Sequence, residues 1–208
     1  MRQHLLLYVA AAGLIGLSAC NREEAATNEA NLGQSAPVNA AQDAVGAAVG
    51  ATSAATLGSN TVEGYVTNAT IGDMYEIEAG KMAQQKAQNA EVKTLASMIV
   101  ADHTTAMNEM KPLVTAAGKT PPAEMDQRRK GMIDNLRAAT GADFDRVFLN
   151  QQVAAHQEAL TLHKGFADGG DDAALKAHAA KVAPKIQLHL DKAQALENGA
   201  GGAQQKAG

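Results

Sequence analysis

The chain has 208 residues, one cysteine, six histidines and a formal net charge of −4. A single cysteine excludes an intramolecular disulfide, and a mildly acidic chain with 3% aromatic residues does not favour nucleic-acid binding. The basic run Arg128-Arg129-Lys130 is short and has acidic neighbours, so we expect a solvated face there and no nucleic-acid partner.

Residues 1–19 have the pattern of a bacterial export signal. The apolar run Leu5–Leu17 is too short to span a bilayer, which takes roughly 20 residues. Leu17-Ser18-Ala19-Cys20 resembles the lipobox of bacterial lipoproteins, which implies cleavage before Cys20 and a lipid anchor on its side chain. Asn21 replaces the aspartate linked with inner-membrane retention, so we expect a periplasm-facing protein at the outer membrane. An ordinary cleaved signal followed by a free thiol is the alternative.

The next segment, residues 20–60, is rich in Ala, Gly, Asn, Ser and Gln. It has too little apolar surface to offset its chain entropy, which predicts a disordered tether. A second disordered tail is predicted at 198–208. Residues 61–197 remain as one domain with a core of its own.

That domain is predicted to be all-α, because no alternating apolar pattern is long enough for a strand. Asn60 with Glu63, Asn89, and the capping box from Thr140 to Asp143 mark helix starts. The predicted helices cover about 60–88, 89–117, 120–139, 140–167 and 171–196. Two tight turns make antiparallel hairpins, and the short third helix must run back between them. The predicted fold is therefore a ferritin-like four-helix bundle of two hairpins joined by a crossover helix.

Four polar side chains lie on the apolar faces of four different helices: Glu76, His103, His156 and His189. Such groups are costly to bury unless they are paired or ligated. Counted from the first turn, Glu76 and His103 lie at equal depth and should face each other.

The second hairpin agrees less well with a single cluster. His189 lies more than one helical turn deeper than His156, whereas His163 and His178 match each other's depth. Whether His163 and His178 form a second cluster therefore stays open.

The spacing does not favour a di-iron oxidase, which requires a glutamate three residues before its histidines. Val100, Val153 and Ile186 occupy those positions before His103, His156 and His189.

The remaining candidate is a mononuclear site formed by Glu76, His103, His156 and His189, with Asp102 as a secondary residue. Zinc, iron or manganese would suit such ligands. Copper is less favoured, although Met107 and Met110 share a helix face with His103.

Several stretches together resemble the bacterial domain-of-unknown-function family numbered 4142, whose members are ferritin-like envelope proteins. They are Gly72-Asp73-Met74-Tyr75-Glu76-Ile77-Glu78, Met98-Ile99-Val100-Ala101-Asp102-His103, Gly141-Ala142-Asp143-Phe144-Asp145, Val153-Ala154-Ala155-His156, Ala183-Pro184 and Ile186-Gln187-Leu188-His189. The resemblance implies that Glu76, Asp102, His103, His156 and His189 are the family's characteristic polar positions. It implies no established activity.

Two functions stay open. One is a metal-binding envelope protein in which we predict no catalytic residue. The other is a structural module, or one that binds an envelope partner. Its core would hold a hydrogen-bonded network of His103 with Glu76, and of His156 with Gln152 or Asp145.

Overall fold

The computed structural model describes residues 60–205, with side chains as far as Gly199. The predicted signal peptide, Cys20 and residues 20–59 of the predicted tether lie outside the described residues. The described part forms five helices: α1 (Val62–Lys86), α2 (Ala90–Ala116), α3 (Gln127–Ala138), α4 (Gly141–Gly169) and α5 (Ala173–Gln205). None of these helices combines the length and apolar character that crossing a bilayer requires.

The helices pack as two hairpins, α1 with α2 and α4 with α5. α1 also packs against α4, and α2 against α5, which closes a four-helix bundle. The shorter α3 packs across α1 and α4 between the two hairpins. The predicted all-α bundle with a crossover helix is therefore confirmed.

Two aspartates fix the relative direction of the hairpins. Asp145, near the start of α4, accepts hydrogen bonds from the backbone N–H groups of Gln88 (2.9 Å) and Asn89 (2.8 Å) in the first turn. Asp171, in the second turn, accepts one from Val62 at the start of α1 (3.0 Å). The end of α1 thus meets the start of α4, and these two helices are antiparallel.

α1 and α2 approach closely at Gly80. A Cβ atom at this position would lie 2.6 Å from the Val100 side chain and 3.1 Å from the backbone oxygen of Ala96. An added methyl group would force Val100 or the backbone to move, so glycine permits this close contact.

Two helix starts differ from the prediction. Thr61, rather than Asn60, caps α1 by accepting a hydrogen bond from Gly64 N. α3 begins at Gln127 instead of Thr120, because Asp126 accepts from Arg129 N at 2.7 Å and caps the helix there. Paired prolines at 121 and 122 disfavour helix in the residue before each of them, which delays the start.

Two further features of the helix ends differ from the prediction. Thr140 precedes α4 without a side-chain cap, so the predicted capping box does not form. α5 continues to Gln205, past both its predicted end near Leu196 and the predicted start of the tail at residue 198. Gly201 and Gly202 disfavour helix, but Ala200, Ala203 and Gln204 favour it, and adding residues to an existing helix costs less than starting a new one.

The apolar core is divided into two main clusters along the bundle. One includes Tyr75, Leu95 and Phe148, and the other includes Tyr65 and Phe166. Along α2, α4 and α5, His103, His156 and His189 lie between residues of one cluster and residues of the other. A polar layer therefore crosses the middle of the bundle.

Candidate metal centre

Three histidines from three helices meet in the polar layer. His103 (α2), His156 (α4) and His189 (α5) are each at most 3% exposed. One ring nitrogen from each lies within 4.8 Å of the other two. Nε2 of His156 and Nδ1 of His189 are only 3.3 Å apart. The three side chains thus enclose one common point.

The second nitrogen of each ring has an oxygen partner. The three contacts are His103 Nδ1 with Asp73 Oδ1 (2.8 Å), His156 Nδ1 with the Gln152 backbone oxygen (2.9 Å) and His189 Nε2 with Asp102 Oδ2 (3.1 Å). Carbonyl and carboxylate oxygens only accept hydrogen bonds, so each of these ring nitrogens carries the proton. In the neutral rings, the lone pairs therefore lie on His103 Nε2, His156 Nε2 and His189 Nδ1.

These three lone pairs have no donor to satisfy them. The 3.3 Å contact between His156 and His189 places two acceptors against each other. Among the described residues, Nε2 of His103 has no hydrogen-bond partner. Converging lone pairs repel unless a cation or a proton lies between them, and three imidazoles aimed at one point are a donor set for a metal ion.

The spacing is compatible with ligation. Zinc–nitrogen bonds of about 2.0–2.1 Å at tetrahedral angles hold ligand nitrogens about 3.3–3.4 Å apart. His156 and His189 already have this separation. The inward nitrogen of His103 lies within 4.8 Å of the other two nitrogens.

Burial keeps two of the rings neutral. It lowers the pKa of His189 to about 4, helped by the nearby charge of His103. It also holds the pKa of His156 well below the usual range. For His103 burial acts in the same direction, but the hydrogen bond and charge of Asp73 outweigh it and raise the pKa. An incoming ion must therefore displace a proton from His103 more often than from the other two.

Glu76, the fourth predicted ligand, lies outside the converging group. Its Oε1 is 3.6 Å from Nδ1 of His156, the nitrogen that faces away from the common point. Its Oε2 is buried without a hydrogen-bond partner. Burial raises the pKa of Glu76 to about 7, although the charges of His103 and Arg129 oppose this shift.

Asp73 is the site residue that sequence reasoning missed. It takes the position expected for Glu76 as the partner of His103. The turn between α1 and α2 is centred near Gln88, so His103 is level with Asp73 and not with Glu76. Asp73 lies three residues before Glu76 on the same helical face, and this periodicity was the available signal. Asp102, predicted as a secondary residue, is the partner of His189.

The predicted difference in backbone depth does not keep His156 and His189 apart, since Nε2 of His156 lies 3.3 Å from Nδ1 of His189. Side chains lean toward the N-terminus of their own helix. His156 therefore leans away from the α4–α5 turn and His189 leans toward it. The two side chains meet although their backbone positions differ in depth.

His163 and His178 do not join the triad. Nδ1 of His163 is 3.2 Å from the hydroxyl of Tyr65, which supplies a hydrogen-bond partner. Burial lowers the pKa of His163 to about 3. His178 is also buried, and burial lowers its pKa as well.

The basic run is not a wholly solvated face, so that prediction is wrong for its central residue. Arg129 is 4% exposed and donates to Glu158 at 3.0 Å, and its guanidinium lies 4.9 Å from the centre of the Tyr75 ring. Arg128 donates to the same glutamate at 2.7 Å. Pairing with Glu158 and stacking on Tyr75 offset the cost of burial and hold α3 against the bundle.

Comparison with known proteins supports the fold. The model of a family described as "Domain of unknown function (DUF4142)" matches residues 47–196. No curated protein matches the chain.

Solved structures resemble the chain along most of their own length. The protein CopM in its Cu(II)-bound form is 24% identical, with a TM-score of 0.58, over 67% of this chain and 97% of CopM. Its Cu(I)-bound form is 25% identical, with a TM-score of 0.53, over 62% and 90%. A DUF305 fragment from Deinococcus radiodurans is 13% identical, with a TM-score of 0.58, over 64% and 93%. These likenesses support the helical bundle.

Proposed function

The chain belongs to the DUF4142 family, and we propose that it binds one transition-metal ion through His103, His156 and His189. The ligand atoms are Nε2 of His103, Nε2 of His156 and Nδ1 of His189. The family resemblance predicted from the sequence is thereby confirmed, while the metal site is our inference. The proposal concerns binding, with no catalytic step.

One observation carries the proposal. When the three rings are neutral, none of the inward nitrogens carries a proton, because an oxygen acceptor holds the proton on the opposite nitrogen of each ring. The structural alternative is a core network without a ligand. It requires a proton between His156 and His189, so that one of these rings either becomes positively charged, which burial opposes, or changes tautomer and gives up its bond to Gln152 or Asp102.

The surrounding charges favour a cation. The carboxylates of Asp73 and Asp102 each accept a hydrogen bond from a proposed ligand. Lys185 shares Asp102, so Asp73 is the carboxylate whose charge is left for the ion. Such outer partners also fix the ring orientation and make the ligand nitrogen more basic.

The donor set narrows the choice of metal. Three imidazoles suit zinc, copper and iron, whereas manganese prefers carboxylate oxygens. Met110 packs in the apolar cluster with Tyr65, so we do not include its thioether among the ligands. The Cu(II) and Cu(I) forms of CopM share the bundle fold, which supports testing copper beside zinc.

We also propose, from the sequence alone, a lipid anchor at Cys20 and a periplasm-facing position at the outer membrane, where an envelope protein could be a partner. Cys20→Ser should release the protein from the membrane fraction. A Cys20→Ser variant that fractionates with the membrane as the wild type does would contradict the anchor.

The metal site is tested by titrating the full-length protein, purified without a histidine tag or chelator, with Zn(II), Cu(II) and Fe(II). Isothermal titration calorimetry should give one ion per chain for at least one metal. His156→Gln should abolish that binding.

The matched control is His163→Gln, which changes a buried histidine outside the triad. It should bind one ion as the wild type does. A wild-type protein that binds none of these ions, or a His156→Gln variant that still binds one tightly, would contradict the proposal.

A further inference from the structure

A small cavity lies on one side of the triad, between α1, α3 and α4. Its volume is about 20 Å³, and its lining includes Gly72, Asp73, Glu76, His103 and Glu158. His103 is the one triad member in this lining. The cavity therefore extends from the α1 side of the bundle to one of the proposed ligands.

The cavity has both polar and apolar lining residues and is large enough for a water molecule, which needs roughly 10–15 Å³. Three lining side chains have a buried polar atom without a hydrogen-bond partner: Glu76 Oε2, His103 Nε2 and Arg129 Nε. Unpartnered polar atoms are costly in a dry interior, so this space is suited to water or to a hydrated ion in transit.

The wall of the cavity is thin at Gly72. A Cβ atom added to this residue would meet nothing within 4 Å. Ala69, Ala155 and Ala159 line the same space with small side chains. Little protein therefore separates solvent from the cavity on this face.

An ion pair closes the opposite face of the triad. Asp102, whose side chain is 27% exposed, is held by both His189 and Lys185. His189 itself is 1% exposed. An ion that entered there would have to break an ion pair beside a lysine of like charge.

We propose that the cavity beside Gly72 is the path by which the metal ion reaches and leaves the triad, an inference that rests on the metal-binding function proposed above. Asp73 and Glu76 offer oxygen atoms that can replace water around a cation as it enters. His103 is the first ligand that the ion meets. Filling the cavity should therefore slow exchange without changing the final complex.

Gly72→Leu tests the path, because Gly72 lines the cavity and has open space for a larger side chain, which would cover the cavity. The full-length protein is loaded with Zn(II) or Cu(II), whichever the wild type binds, and uptake and chelator-driven release are followed by stopped flow. Both rates should fall by about tenfold or more, which is roughly the effect of 1.4 kcal/mol in a barrier. Stoichiometry and equilibrium affinity should remain as in the wild type.

Two variants serve as controls. Gly131→Leu adds the same side chain at another open glycine, on α3 and outside the cavity lining, and should exchange at the wild-type rate. Gly72→Ala removes the helix glycine but adds only a methyl group. It should therefore slow metal exchange much less than Gly72→Leu. Gly72→Met places a longer, more flexible side chain at the same position and replaces Gly72→Leu if that variant does not fold.

The outcomes separate the two proposals. A wild-type protein that takes up no ion overturns both of them. Full stoichiometry with unchanged rates in a folded Gly72→Leu or Gly72→Met variant overturns the path alone. The path is also overturned if Lys185→Ala changes both rates while the Gly72 variants do not, since the ion would then pass between α2 and α5.

Discussion

Two groups of buried histidines in one bundle differ in what their ring nitrogens face. In the triad, an oxygen atom bonds the outer nitrogen of each ring, and the inner nitrogens converge. Near the other apolar cluster, the Tyr65 hydroxyl lies beside His163, and His163 and His178 do not belong to the converging group.

Burial alone therefore does not distinguish a metal ligand from a core histidine, since His163 is as buried as His103. The chemical identity of the group that bonds the outer nitrogen of each ring is more informative. A carboxylate or carbonyl behind the ring fixes the proton away from the common point, whereas a hydroxyl can donate as well as accept and can satisfy a neutral ring by itself.

The largest expected effect is a difference in metal affinity between two variants, one at a triad histidine and one at a histidine outside the triad. His103→Ala removes a proposed ligand and should weaken metal affinity by more than about a hundredfold, beyond the range typical of outer-shell changes. His163→Ala should leave the affinity within a few-fold of wild type while lowering stability. Competition with a chromophoric chelator measures both variants, and equal losses would remove the distinction between the groups.

A smaller loss of metal affinity is expected when a residue that hydrogen-bonds a proposed ligand is changed. Asp73→Asn keeps a hydrogen-bond acceptor for His103 but removes its charge, so affinity should fall by about 10- to 100-fold. Asp145→Asn is the control, because Asp145 holds the first turn and not the triad. Asp73 would have no role in binding if both variants retained full affinity.

The affinity should also depend on pH. Asp73 raises the pKa of His103, so protons compete with the metal as pH falls through this raised value, which lies above the ordinary pKa of about 6.5. Below that point, affinity should decrease by about tenfold per pH unit for one displaced proton. In Asp73→Asn the decrease should begin at lower pH, and calorimetry across pH 5–8 measures the difference.

The smallest effect concerns the stability of the metal-free protein. Burial lowers the pKa of His163 to about 3. Between about pH 6.5 and 3, the unfolded chain therefore binds a proton that the folded chain does not, and stability falls as pH falls. The contribution is at most roughly 1.4 kcal/mol per pH unit. Urea unfolding of His163→Phe should show a shallower slope, and an unchanged slope would mean that His163 does not contribute.

Much of the fold was predictable because helix periodicity and turn residues are local signals. The two hairpins and the crossover follow from the apolar stripes, the Asn89 cap and the length of the third segment. The late start of α3 had a local signal in the Asp126 cap, but Pro121 and Pro122 also fit the first turn of a helix. The pairing of Arg129 with Glu158, which holds α3 in place, leaves little trace in a single sequence.

The sequence also brought under consideration the three histidines that converge in the structure, because each interrupts an apolar face. It did not distinguish Asp73 from Glu76 as the partner of His103. That choice depends on a shift of one or two residues in the turn, which is within the usual uncertainty of helix ends. The meeting of His156 and His189 likewise depends on side-chain direction rather than on backbone depth.

The most direct test of the central claim is X-ray absorption spectroscopy of the metal-loaded full-length protein. Our account predicts three imidazole nitrogens at about 2.0–2.1 Å from a zinc ion, with no sulfur ligand, and one fewer imidazole in His189→Gln. A first shell of oxygen atoms alone, a thioether ligand, or an unchanged spectrum in His189→Gln would contradict it.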